Sequence, residues 1–126
     1  MKNIIYVLSF VMLLVFTSMV SARTGKEIFN NYCTTCHSPS MASVFGAPAA
    51  NDKSAWEVRK ELAFKRAIEK NKFNESDLII KEREILGALL LTAKQGTPKG
   101  MPPKGTCSNC TDDELLDAIK YLSAIN

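Results

Sequence analysis

Along the chain, apolar residues fall first in one nearly continuous run and then in helical stripes separated by short polar or Pro/Gly-rich breaks. The run is Ile4 to Phe16, with Lys2 before it and Val20-Ser21-Ala22 after it. A positive start, an apolar centre and a small-residue cleavage site make residues 1–22 an export signal, and the run is short for a membrane span. An uncleaved N-terminal anchor is the alternative. The spacing then predicts a helix over Thr24 to Tyr32, with Thr24 as N-cap. Gly25 and Phe29 share a face of it. A glycine there costs about 1 kcal/mol relative to alanine, so another helix is expected to approach closely. Ser38 to Lys53, rich in Ser, Ala, Gly and Pro, reads as an irregular loop.

Ser54-Ala55-Trp56-Glu57 reads as a capping box opening a second helix that runs to about Lys70. Its apolar pairs are Phe64/Ile68 and Ala63/Ala67, while Glu61 and Lys65 belong to a solvated face. Asn71 to Glu75 breaks the pattern. A third helix is predicted from about Ser76 to Lys94, with Leu78, Ile85, Leu86, Leu89, Leu90 and Ala93 on one side and Gly96 ending it. Gly96 to Gly105 suits neither a helix nor a central strand. Thr111-Asp112-Asp113-Glu114 is a second capping box, and the helix it opens carries Leu115, Leu116, Ala118, Ile119, Tyr121, Leu122 and Ile125. Ala118 and Tyr121 would face Gly25 and Phe29, crossing the two terminal helices. The prediction is an all-α fold, with one domain over residues 23–126.

Composition narrows the class. Cleavage before Arg23 leaves 104 residues, the size of one small domain with a modest core. The 16 basic and 13 acidic residues give a formal charge of +3, which becomes +2 when Lys2 leaves with the signal. No basic stripe with interleaved aromatics is present, so nucleic-acid binding has no support. No residue pattern announces an oligomeric state. All four cysteines lie in the exported part, in an oxidising compartment.

The chemistry concentrates in Cys33-Thr34-Thr35-Cys36-His37. A C-x-x-C-H run is the attachment signature of c-type haem, in which both thiols become thioethers and the imidazole an axial iron ligand. His37 is the sole histidine. A ligating histidine normally donates its second ring N–H to a carbonyl or carboxylate, and Pro48 of Gly46-Ala47-Pro48 is the candidate acceptor. Trp56, the sole tryptophan, is expected to pack, and its indole N–H is a candidate partner for a haem propionate. In Gly96 to Gly105, Met101 stands between a glycine and two prolines. A thioether on so stiff a loop suits the sixth iron position, because little ordering entropy opposes a weak Fe–S bond. Cys107-Ser108-Asn109-Cys110 follows. It reads as a short disulfide pinning that loop to the last helix, or as a redox-active dithiol; with Cys33 and Cys36 it would also suit a four-thiolate zinc site.

The combination resembles the class I c-type cytochromes, most closely the small bacterial cytochrome c-five group. The matching residues are Gly25/Phe29, Cys33 to His37, Gly46-Ala47-Pro48, Trp56, Met101-Pro102-Pro103-Lys104-Gly105, Cys107/Cys110 and the last helix with Tyr121. The resemblance implies one covalently bound haem c on Cys33 and Cys36, axial ligands His37 and Met101, and a Cys107–Cys110 disulfide. It also implies a class I cytochrome c fold and a periplasmic one-electron carrier, not an enzyme, that meets redox-protein donors and acceptors. Lys99 and Lys104 would then offer an acidic partner a docking face beside Met101. The stretch from Trp56 to Met101 is longer than the family's usual one, with the surplus near Lys60 to Glu82. The rival readings are a five-coordinate haem protein, peroxidase-like or gas-binding, in which Met101 does not ligate, and a structural zinc module.

Overall fold

The computed structural model describes residues 21–71 and 78–125. Most of the export segment, the predicted break after Asn71 and the Ser76 helix start lie outside them. Thr24 caps the first helical stretch in both directions. Its hydroxyl accepts from the Glu27 N–H, and the Glu27 carboxylate accepts from the Thr24 N–H at 2.7 Å. The stretch consists of α1 (Gly25–Ile28), a π-helical turn (Phe29–Cys33) and α2 (Thr34–His37). The wide turn, in which the Thr34 N–H reaches back to the Phe29 carbonyl, inserts one extra residue just ahead of the cysteine-histidine run.

The segment after His37 is less irregular than its composition suggests. One helical turn, α3 (Ala42–Phe45), stands in it and ends on Gly46 at φ +61°, with the Ala47 N–H returning to the Ala42 carbonyl. Helix α4 (Lys53–Asn71) follows. Its cap is Asp52, not Ser54: the Asp52 carboxylate accepts from the Ala55 N–H at 3.1 Å and from the Ser54 hydroxyl at 2.7 Å. The carboxylate is as good a cap as the hydroxyl and starts the helix earlier, so it takes the position. Helix α5 (Leu78–Gln95) carries the long apolar stripe, and α6 (Asp112–Ser123) is capped by Thr111 with Glu114. The described residues contain no strand.

Burial follows the predicted stripes. Ala63, Phe64 and Ala67 of α4 and Ile85, Leu89 and Ala93 of α5 are buried, as are Ile119 and Leu122 of α6. All of these except Ala67 join Phe29 and Trp56 in one apolar cluster. Ile28, Leu115, Ala118 and the cysteines 107 and 110 form a second, and Leu90 touches both. The terminal helices cross at Gly25, where a Cβ would fall on the Asp117 carbonyl and within 2.8 Å of the Ala118 nitrogen. One turn on, Phe29 and Tyr121 pack with ring centroids 5.3 Å apart.

Arg23 adds a polar clamp to this crossing that sequence patterning did not disclose. Its Nε and Nη2 donate to the two Glu114 oxygens at 2.8 and 2.7 Å. That guanidinium, helped by the Thr111 N–H, holds the Glu114 carboxyl at about 2, well below its ordinary 4.5. A carboxyl depressed in the folded state adds stability that is complete above its unfolded value and fades as pH falls through the folded one. Thermal unfolding between pH 5 and pH 2 should therefore steepen more for the native protein than for Glu114→Gln. Parallel curves would mean that the pair contributes nothing.

Candidate functional site

His37 is buried at the end of α2, and its Nδ1 lies 2.8 Å from the Pro48 carbonyl oxygen. A carbonyl only accepts, so Nδ1 carries the proton and Nε2 is left with its lone pair for another partner. The chain holding that carbonyl is itself tied on both sides. The Ala50 N–H donates to the His37 carbonyl at 2.8 Å, and the Trp56 indole N–H donates to the Ala49 carbonyl at 2.8 Å. This corrects the propionate reading of Trp56: its one donor is committed to Ala49. Trp56 instead braces the ligand segment and stacks beside His37, with ring centroids 6.2 Å apart. Trp56→Phe keeps the packing and orphans the Ala49 carbonyl, so a loss of about 1–2 kcal/mol is expected from denaturant unfolding. An unchanged midpoint would show that the segment is held by other means.

Cys33 and Cys36 are unpaired and half-buried. Burial, with a smaller contribution from Cys36, pushes the Cys33 thiol up to about 11, so at neutral pH it stays a thiol and is a poor partner for disulfide exchange. Cys33 borders the same apolar cluster as Met101, and that cluster contains Trp56, on which His37 stacks.

The Met101 loop is rigid for identifiable reasons. The Thr97 N–H donates to the Met101 carbonyl at 2.9 Å, and the Met101 N–H to the Thr97 hydroxyl at 3.3 Å, closing a tight turn over Pro98-Lys99-Gly100. Gly96, at φ +73°, lies against this turn, and a Cβ there would collide with the Met101 carbonyl. A 3-10 turn, Pro103–Thr106, carries the chain back to the attachment run, where a Cβ on Gly105 would lie 3.3 Å from the Tyr32 carbonyl and 3.8 Å from Cys33 Sγ. The Lys104 ammonium donates to the Cys110 carbonyl at 3.0 Å, so Lys104 is a strut inside the loop and not a free docking charge; Lys99 is exposed.

The sulfurs of Cys107 and Cys110 are bonded to each other in the structure and almost fully buried, at 1% and 2% exposure. Burial leaves an attacking thiolate no approach, which tells against a redox-active dithiol. Among the described residues no three His, Cys, Asp or Glu side chains converge as metal ligands, which corrects the four-thiolate zinc reading. Thr111, not a histidine, follows Cys110.

Two free thiols one turn apart, an imidazole with only Nε2 available and a thioether on the same apolar cluster are the donor set that a covalently attached haem requires. The residues fit that group. Comparison with known proteins agrees. Residues 20–122 match the family described as cytochrome C oxidase, cbb3-type, subunit III. Cytochrome c5 of Ectopseudomonas mendocina is 33% identical over 104 residues, covering 82% of this chain and 92% of that protein. Cytochrome c5 of Azotobacter vinelandii is 31% identical over 82% of this chain and 96% of its own length. Cytochrome c-555 of Chlorobaculum tepidum is 27% identical over 80% of this chain and 73% of its own length. No solved structure matches.

Proposed function

Since this chain belongs to the class I c-type cytochromes, near the cytochrome c5 group, we propose that it is a periplasmic one-electron carrier whose iron is held by His37 and Met101. As a member of that family it binds one haem c covalently and carries electrons; it is not an enzyme. The haem supplies a ferrous–ferric couple, and a thioether ligand favours the ferrous state.

The residues of the chain do the rest. Cys33 and Cys36, unpaired and one helical turn apart, would hold the group through two thioethers. His37 offers Nε2 because the Pro48 carbonyl fixes the other ring nitrogen, and Trp56 holds Pro48-Ala49-Ala50 in place. Met101 presents its sulfur from a loop whose backbone is already locked on Thr97. His37 and Met101 would together hold the iron, which would leave small molecules no open coordination site and favour electron transfer over catalysis. The Cys107–Cys110 bond and the Lys104 strut tie this loop to the start of α6. Redox proteins are the partners, and Lys99 is the exposed charge beside the loop.

The observation that carries the reading is the His37–Pro48 bond, which leaves one imidazole nitrogen free beside the cluster that Met101 joins. Intact mass of the exported protein should equal residues 23–126 plus one porphyrin, with peptide mapping placing it on Cys33 and Cys36. Optical spectra should show thioether ligation in the ferric form. A high-spin spectrum that changes on adding cyanide would favour the five-coordinate reading, and recovery from the cytoplasm would reject the periplasmic one. No helix among the described residues is long and apolar enough to cross a membrane.

A further inference from the structure

We infer that the chain end released by cleavage before Arg23 has a built seat: the new α-ammonium docks on the Glu114 carboxylate and locks the first helix to the last. The inference rests on the export reading proposed above. Hydrolysis of the Ala22–Arg23 peptide bond leaves a carboxylate on Ala22 and an amine, protonated at neutral pH, on Arg23. Ser21 and Ala22 are exposed and outside regular structure, whereas Arg23 is half-buried. The Arg23 main-chain nitrogen lies 3.3 Å from Glu114 Oε1, on the carboxylate that its own guanidinium grips through both oxygens. The next residue is already committed, since the Thr24 N–H and hydroxyl both go to Glu27. Processing thus turns a neutral amide with one hydrogen into a cation with three at a position already aimed at an anion. Charge-assisted hydrogen bonds are roughly twice as strong as neutral ones.

The titratable groups around that nitrogen set the sign. Glu114 faces it from α6, and Glu27 of α1 lies one residue away on Thr24. The Arg23 guanidinium opposes them, with Tyr32 beside it. Lys26 on α1 and Asp113 and Asp117 on α6 are exposed. Two carboxylates against one guanidinium raise the ammonium above the roughly 7.7–8.0 of a free terminus. A raised folded value gives stability that is fully present below the unfolded value and lost as pH climbs through the folded one, here from about pH 8 upward.

N-terminal sequencing of the exported holoprotein comes first, and any start other than Arg23 overturns both the export boundary and the inference. With Arg23 first, that holoprotein is compared with one that retains Ser21-Ala22 ahead of it. The Arg23 form should melt about 2–4 °C higher at pH 7, with the gap closing by roughly pH 10. Glu114→Gln in the Arg23 form should erase that pH dependence. Should this variant fail to fold, the pH dependence of acylation of the terminal amine gives its pKa directly. An ordinary pKa, or equal melting of the two forms at every pH, overturns the seat and leaves the export reading standing.

Discussion

Replacement of Met101 by alanine is expected to lower the reduction potential by a few tenths of a volt while the covalent haem stays attached. Thioether ligation favours ferrous iron, and the identity of the axial ligand moves haem potentials over roughly 0.8 V. On the proposed reading, attachment would depend on Cys33 and Cys36, with His37 oriented by Pro48, and the substitution touches none of these. The turn over Pro98-Lys99-Gly100 should also survive, because Thr97 bonds the Met101 backbone and not its side chain. The emptied position should admit cyanide or imidazole. A spectroelectrochemical titration decides the matter: a shift below about 0.06 V, a tenfold change in a one-electron equilibrium, would show that Met101 is not the ligand.

The largest effect on stability should come from Gly25→Ala. In an open helix the exchange gains about 1 kcal/mol. Here the added methyl meets the Asp117 carbonyl and the Ala118 nitrogen, both backbone atoms of α6 that cannot swing aside. Overpacking of this kind costs about 1–3 kcal/mol and occasionally more. Against rigid backbone the steric cost should reach or pass the top of that range, at about 3–4 kcal/mol, so that the net loss after the gain is about 2–3 kcal/mol. At roughly 4–8 °C per kcal/mol, melting should fall by about 10–20 °C. Gly87 in α5 supplies the control, for a Cβ there meets nothing within 4 Å. Gly87→Ala should raise stability by about 0.5–1 kcal/mol. Equal signs for the two variants would refute the account of the helix crossing.

The parts of this architecture that sequence reading reached share a property: their reasons are short in range. Thr24 and Thr111 cap helices with glutamates three residues away. The attachment run is contiguous, and the glycine-proline frame around Met101 marks a stiff loop by composition alone. Gly25 looked anomalous inside a helix, which was enough to expect another helix against it. The parts not reached depend on competition or on distance. Asp52 and Ser54 are both good caps, and only the geometry of the turn decides between them. The Trp56 indole could equally have met a cofactor, and Ala49 takes it because the loop after α3 folds back over α4. Lys104 looks like a surface lysine until the turn at Pro103–Thr106 aims it at Cys110. Arg23 meets a partner 91 residues away, a pairing that no local pattern encodes.

That last separation has a bearing on the order of assembly. Joining Arg23 to Glu114 closes a ring of about 90 residues, and the length-dependent part of the entropy opposing it is about 4 kcal/mol. The hydrogen bonds of the helical turns around Cys33 and Cys36 are local and do not involve it. During secretion of an emerging chain, Cys33 and Cys36 would enter the new compartment some 75 residues before α6 arrives to cover Gly25. On the proposed export reading, the thiols would be most open to haem attachment in the interval before the ring shuts.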